Sequence, residues 1–259
     1  MPVSADELEA ISALEEANGA YAAKDYGEAL SKYARSRELY LELGDLRMLA
    51  TCDSGIGGVL AHLGDYAESE RAYLRARAQY ETEGRFDRVA ACDQSLASGY
   101  QLAGRLDEAA ERYLLARAYF VEPDAAENVA TCDRELARVY SEAGRDEEAA
   151  ARLLARREYL INRKDRENDV AEVDLSLAQI YIKSKDWSEA ETCILASRAH
   201  YSTHAPVAVA ACDVALGDLY RARGDVISAE RYYLAARSVW AGAGFDMQVE
   251  NVDARLAGL

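Results

Sequence analysis

The chain has 259 residues, half of them hydrophobic, with 46 acids against 30 bases and a net charge of −16. The apolar content is enough for a packed core, while the acidic balance excludes a general nucleic-acid or anionic-membrane binder. No apolar run is long enough to span a bilayer, and the acidic start MPVSADELEA lacks the charged-then-apolar pattern of a signal peptide, so a cytoplasmic protein is expected.

Helical periodicity begins near residue 5, and a first helix is expected over about 5–24. From the next unit onward one short phrase recurs: TCDSGI at Thr51, ACDQSL at Ala91, TCDREL at Thr131, EVDLSL at Glu172, ACDVAL at Ala211 and NVDARL at Asn251. Its aspartates, Asp53, Asp93, Asp133, Asp174, Asp213 and Asp253, step by 40, 40, 41, 39 and 40 residues. A fixed period in this range marks stacked structural repeats, which work through an extended surface rather than one catalytic pocket. Six units follow, at about 5–44, 45–84, 85–123, 124–165, 166–205 and 206–244, and an unpaired helix over 245–259 closes the array. The polar Gln248, Glu250, Asn251 and Asp253 suit that last helix to a solvated capping role.

Residues 85–123 illustrate one unit. Val89, Leu96, Ala97 and Tyr100 recur at helical spacing until Gly104 stops the helix. Leu106, Ala109, Ala110, Tyr113, Ala116 and Phe120 then form the apolar stripe of a second helix. Gly64, Gly104, Gly144 and Gly224 mark the inner turns, with Lys185 in that place in one unit. The three prolines, Pro2, Pro123 and Pro206, sit at helix starts or unit junctions, as an all-helical chain requires. Arginine in excess over lysine, with abundant alanine, is the composition of a GC-rich bacterial source.

Across the units, first helices carry Ile56, Leu96, Leu136, Leu177 and Leu216, each followed by a small residue: Gly57, Ala97, Ala137, Ala178 and Gly217. Second helices carry Ala29, Ser69, Ala109, Ala149, Ala190 and Ala229, then Tyr33, Tyr73, Tyr113, Leu153, Ile194 and Tyr233. Small residues facing large ones let helices interlock closely. The stretch LASGYQLAGRLDEAAERYLLA, Leu96–Ala116, resembles the tetratricopeptide repeat (TPR), and the resemblance recurs over essentially the whole chain. Two departures are a period near 40 rather than 34, requiring longer helices, and an aspartate where the family often places a large apolar residue. The resemblance implies an all-α fold: one right-handed α-solenoid domain over 1–259, with a concave groove lined mainly by first helices.

A second charge recurs in the second helices: Arg37, Arg77, Arg117, Arg157, Arg198 and Arg237. Residues equidistant from a connecting turn lie level in antiparallel helices, and this places each interior aspartate level with an arginine on both sides. The expectation is one alternating, structural ladder of twelve charges. Because stranding a buried charge costs about 3–5 kcal/mol, Asp133→Ala should destabilise more than loss of an exposed acid such as Glu142. The same symmetry sets Tyr40, Tyr80, Phe120, Leu160 and Tyr201 level with Ala50, Ala90, Ala130, Ala171 and Ala210.

No constellation of residues argues for catalysis. Cys52, Cys92, Cys132 and Cys212 recur on successive units, about 8–10 Å or more apart at helix-packing distances, beyond disulfide reach. With Cys193 standing apart and no C-x-x-C pair, they read as buried apolar residues in a reducing compartment. His200 and His204 lie one helical turn apart but lack a third ligand, and His62 is solitary. GIGG at 55–58 lacks the preceding strand and G-K-[ST] ending of a phosphate loop. No cofactor or metal is expected.

The family's groove face, carried over by alignment, holds Ser54, Gly58, Ala61 and His62 in one unit and Gln94, Ser98, Gln101 and Leu102 in the next. Arg134, Arg138, Ser141 and Glu142 follow, then Leu175, Gln179, Ile182 and Lys183, and finally Val214, Asp218, Arg221 and Ala222. Gln94, Ser98, Gln101, Arg134, Arg138, Gln179, Asp218 and Arg221 are the candidate binding residues. Arg134 and Arg138 share a face, suited with Gln94 and Gln101 to grip a carboxylate or an extended peptide backbone. The expected function is a non-enzymatic protein- or peptide-binding scaffold, with a sensor acting through a partner and a self-assembling scaffold as the alternatives.

Overall fold

The computed structural model describes residues 4–120, 125–202 and 205–259. Pro2, Pro123 and His204 lie outside the described residues. All regular structure in them is helical: α1 (Ala5–Ala22), α2 (Tyr26–Leu43), α3 (Leu46–Leu63), α4 (Tyr66–Thr82), α5 (Phe86–Leu102), α6 (Leu106–Ala118), α7 (Ala126–Glu142), α8 (Asp146–Ile161), α9 (Glu167–Ser184), α10 (Trp187–Tyr201), α11 (Pro206–Ala222), α12 (Val226–Gly242) and α13 (Asp246–Ala257). None is long and apolar enough to cross a membrane. Two compact units divide the chain, Met1–Ala143 and Gly144–Leu259.

In the first unit, α1 packs on α2, α3 on α4 and α5 on α6, and each pair packs on the next first helix. In the second, α9 pairs with α10 and α11 with α12; α8 packs on α9, and α13 on α12. The sequence dictates these hairpins locally. Asp25, Asp45, Asp65 and Asp225 stand at N-caps, where each carboxylate accepts the backbone N–H three residues on, at 3.0–3.2 Å. Such a cap stabilises a helix by about 1 kcal/mol. The chain reverses through a residue in the left-handed region: Gly64 at φ 82° and Gly104 at φ 74°, with Lys185 doing the same at φ 67°. Lys24 serves the first hairpin at φ 62°, a turn without a glycine to announce it.

Small-against-large packing sets the spacing within hairpins. Gly57 lies so close to Tyr73 that an added Cβ would fall 2.8 Å from the ring, and Gly217 approaches Tyr233 to 2.4 Å by the same measure. Buried serines fasten second helices to first-helix carbonyls: Ser36 Oγ donates to Ala10 O at 2.9 Å, Ser69 to Gly57 O at 2.7 Å and Ser197 to Ala171 O at 2.8 Å. Cys52, Cys92, Cys132 and Cys212 are buried and unpaired in this packing, while Cys193 is half-buried. Burial pushes the Cys92 thiol from the ordinary 9.0 up to about 12.

The charge ladder forms only in part. Each recurring arginine donates to the aspartate of the following helix: Arg37 to Asp53 (2.9 Å), Arg77 to Asp93 (2.9 Å), Arg117 to Asp133 (2.9 Å), Arg157 to Asp174 (2.5 Å), Arg198 to Asp213 (2.8 Å) and Arg237 to Asp253 (2.5 Å). Two of the return links of the expected alternation are made by other residues. Among the described residues, Asp53 is met from its own hairpin by Arg75 at 2.7 Å, and Asp93 by Arg112 at 3.1 Å. Level height is not enough: Arg77 and Arg117 point across the boundary between hairpins and are engaged there. Five of the aspartates are buried, whereas Asp253 is half exposed on the terminal helix.

Candidate functional site

The first unit brings most of the candidate residues together. Gln94, Ser98 and Gln101 lie on α5, Arg134 and Arg138 on α7, and Gln101 joins the two helices. Its amide nitrogen donates to Glu142 at 2.7 Å and its oxygen accepts from Arg138 at 2.9 Å. Arg138 also donates to Glu135 at 2.8 Å, and Arg134 donates to Glu135 from the other side at 2.9 Å. Gln94 turns inward, its amide reaching Cys132 Sγ at 3.4 Å, and Ser98 is exposed. Beneath this network Tyr113 is buried, and burial raises its hydroxyl to about 12, so the phenol stays neutral. The side chains of Arg134 and Arg138 are more than half exposed while held by these hydrogen bonds.

The other candidates belong to the second unit. Gln179 is exposed on α9 and Arg221 is exposed on α11. Asp218 is already engaged: it accepts from Tyr233 at 2.6 Å and from Arg255 at 3.1 Å, tying α11 to α12 and to the last helix. A shallow open depression of about 500 Å³ is lined, among the described residues, by Ala155, Glu158 and Tyr159 on α8 and by Asn162 and Arg163 just past its end.

A better-walled feature escaped the candidate set. An open pocket of about 250 Å³ lies in the first unit between α1 and α3, lined by Asn18, Tyr21, Tyr33, Thr51, Ser54, Gly55, Gly58 and Tyr73. Its floor is α3, where Thr51, Ser54, Gly55 and Gly58 share one face by helical spacing. Gly55 stands where the sibling helices carry Glu15, Ser95 and Glu135, and Gly58 where they carry Asn18, Ser98 and Arg138. Two side chains are missing one turn apart; the absence at Gly58 leaves space between the Tyr21 and Tyr73 hydroxyls, and that at Gly55 seats the Tyr33 ring. An added Cβ on Gly55 would lie 2.5 Å from Tyr33, and one on Gly58 would lie 3.3 Å from the Tyr73 hydroxyl. GIGG therefore exists for tyrosine packing, and its only sequence signal was glycine at two repeat positions that elsewhere carry side chains.

The pocket walls are fixed by their own contacts. Tyr33 donates to Asn18 Oδ1 at 2.6 Å, and the Tyr21 hydroxyl bonds His62 Nε2 at 3.0 Å. His62 in turn stacks on Tyr26 with ring centres 4.7 Å apart. Burial raises the hydroxyls of Tyr21, Tyr33 and Tyr73 above the ordinary phenol value, so all three are neutral at physiological pH. Among the described residues lining the space none is acidic or basic. Among the described residues no group of three or more histidine, cysteine or acidic side chains is placed to hold a metal.

The comparisons with known proteins agree on architecture. Residues 4–113 match the family model for soluble NSF attachment protein, SNAP, which covers less than half of the chain. No curated protein matches. Among solved structures, BtubC (BKLC) from P. vanneervenii is 24% identical over 93% of each chain, with a TM-score of 0.65. A kinesin light chain structure from Podosopora anserina, with nearly identical TPR-like repeats, is 18% identical over 76% of this chain and 97% of that one, at TM-score 0.63. A Rap protein complexed with competence and sporulation factor is 15% identical over 97% and 76%, at TM-score 0.53. At these identities the likeness establishes the fold, which is that of an all-α, tetratricopeptide-like helical-repeat protein.

Proposed function

We propose that the chain is a non-enzymatic interaction module that binds a protein or peptide on the first-helix face of its first unit. The observation carrying this reading is the network of Gln101, Arg138, Glu135 and Glu142 across α5 and α7. It pre-positions exposed donors and acceptors on a rigid helical scaffold, which lowers the ordering cost of gripping an extended backbone. The test is affinity capture from the native lysate with the parent chain and a variant carrying Gln94→Ala, Arg134→Ala and Arg138→Ala. A protein retained by the parent and lost from the variant supports the reading, and retention that ignores these residues removes it.

The likeness to a Rap protein complexed with competence and sporulation factor supports a second reading, a peptide-receiving regulator that acts through a partner. A peptide that changes the yield of a captured partner favours this sensor, and a peptide that merely competes for the same face favours the simple module. A self-assembling scaffold requires a mass that rises with concentration, which sedimentation at two loadings decides.

A further inference from the structure

The tyrosine pocket between α1 and α3 differs in chemistry from the arginine-bearing face of α5 and α7. Three neutral phenols, Tyr21, Tyr33 and Tyr73, converge with Asn18, Thr51 and Ser54 over a glycine floor. Phenol oxygens and hydroxyls accept hydrogen bonds, and aromatic rings attract cations through their quadrupoles. The net charge of the first unit has the same preference. Residues 1–143 carry 27 acids against 15 bases, so twelve of the sixteen net negative charges of the chain lie in this part. Such a field draws in a cation and repels an anion. With no carboxylate among the described lining residues to form a fixed ion pair, ring electrons and neutral oxygens would do the holding.

We infer that this pocket is a subsite for the cationic side chain of a basic peptide, lysine or arginine, entering between α1 and α3. The volume of about 250 Å³ admits one long side chain and leaves the backbone outside. His62, bonded to Tyr21 and stacked on Tyr26, holds one wall upright. This subsite deepens the peptide-binding reading and rests on it for the nature of the partner, but its residues are separate from Gln94, Arg134 and Arg138.

The experiment is nuclear magnetic resonance of the ¹⁵N-labelled full chain titrated to millimolar concentration with the blocked pentapeptide Gly-Gly-Lys-Gly-Gly. Counterparts replace the lysine by norleucine, proline or glutamate. The lysine peptide should shift the amides of Gly55 and Gly58 saturably, with the norleucine peptide about tenfold weaker, the scale of a partly desolvated cation–π contact. Gly58→Gln, which restores a side chain to the floor, should abolish the shifts while the rest of the spectrum stays native. Tyr21→Leu, at a half-buried wall, should weaken them. Equal binding by norleucine, stronger binding by proline or glutamate, or lysine shifts that survive Gly58→Gln each overturn the inference. If the lysine peptide leaves Gly55 and Gly58 unmoved while capture still depends on Gln94, Arg134 and Arg138, the subsite falls and the interaction module stands. Saturable lysine binding without any groove-dependent capture supports the subsite and removes the α5–α7 face as the binding surface.

Discussion

At the scale of the residue, the recurring device is a buried aspartate met by an arginine from the preceding hairpin. Asp93 is wholly shielded and receives both Arg77 and Arg112. Removing a buried partner strands the remaining charge, and such losses run to about 3–5 kcal/mol. Asp93→Ala should fall near the lower end, because both arginines keep some access to water. Asp253, half exposed against Arg237, should cost clearly less when changed to alanine, because solvent screens an exposed pair. Urea unfolding of the two variants measures the difference, and equal losses would contradict the role assigned to burial. The same comparison holds for Asp133 and the exposed Glu142. Gly57 offers a steric counterpart, since its missing Cβ leaves room for the Tyr73 ring. Gly57→Ala should destabilise by about 1–3 kcal/mol through overpacking, and Tyr73→Leu in the same chain should return part of that loss.

At the scale of the element, turns and helix interiors make separate predictions. Lys185 holds a left-handed conformation at φ 67° that costs a side-chain-bearing residue about 1–2 kcal/mol. Lys185→Gly should therefore raise stability by about 1 kcal/mol in thermal or urea unfolding, and a loss would show that the lysine side chain holds the turn. Cys92 and Tyr113, on α5 and α6, are both raised to about 12 by burial. A folded-state value above the unfolded one contributes stability that is complete below the unfolded value and lost as pH rises through the folded one. Helicity should persist to about pH 9 and fall between there and about 12, and Cys92→Ala with Tyr113→Phe should move that loss upward. Much of this was legible beforehand. The repeat aspartates, the glycine turns and the small-against-large stripes are set by local periodicity, which a sequence displays directly. The return links of the ladder were not, because equal height says nothing of the direction in which Arg77 or Arg117 points. The pocket was legible only at its floor, where Ser54 and Gly58 had been placed on the groove face; its walls come from Asn18, Tyr21, Tyr33 and Tyr73 on three helices, which no local periodicity brings together.

At the scale of the whole molecule, the chain combines a uniform scaffold with a non-uniform surface. Interior positions repeat in kind in both units, while first-helix faces differ from one hairpin to the next. In the first unit they present an arginine–glutamine network on α5 and α7 and a tyrosine pocket between α1 and α3. Net negative charge is concentrated there as well, so association with a basic partner should weaken as salt is raised. The central claim is that this face, rather than the repeat scaffold in general, selects the partner. Capture from the native lysate, run side by side with the parent and the Gln94→Ala, Arg134→Ala, Arg138→Ala variant, tests it most directly. The account predicts at least one protein held by the parent and lost from an equally folded variant. Identical retention by both would contradict it.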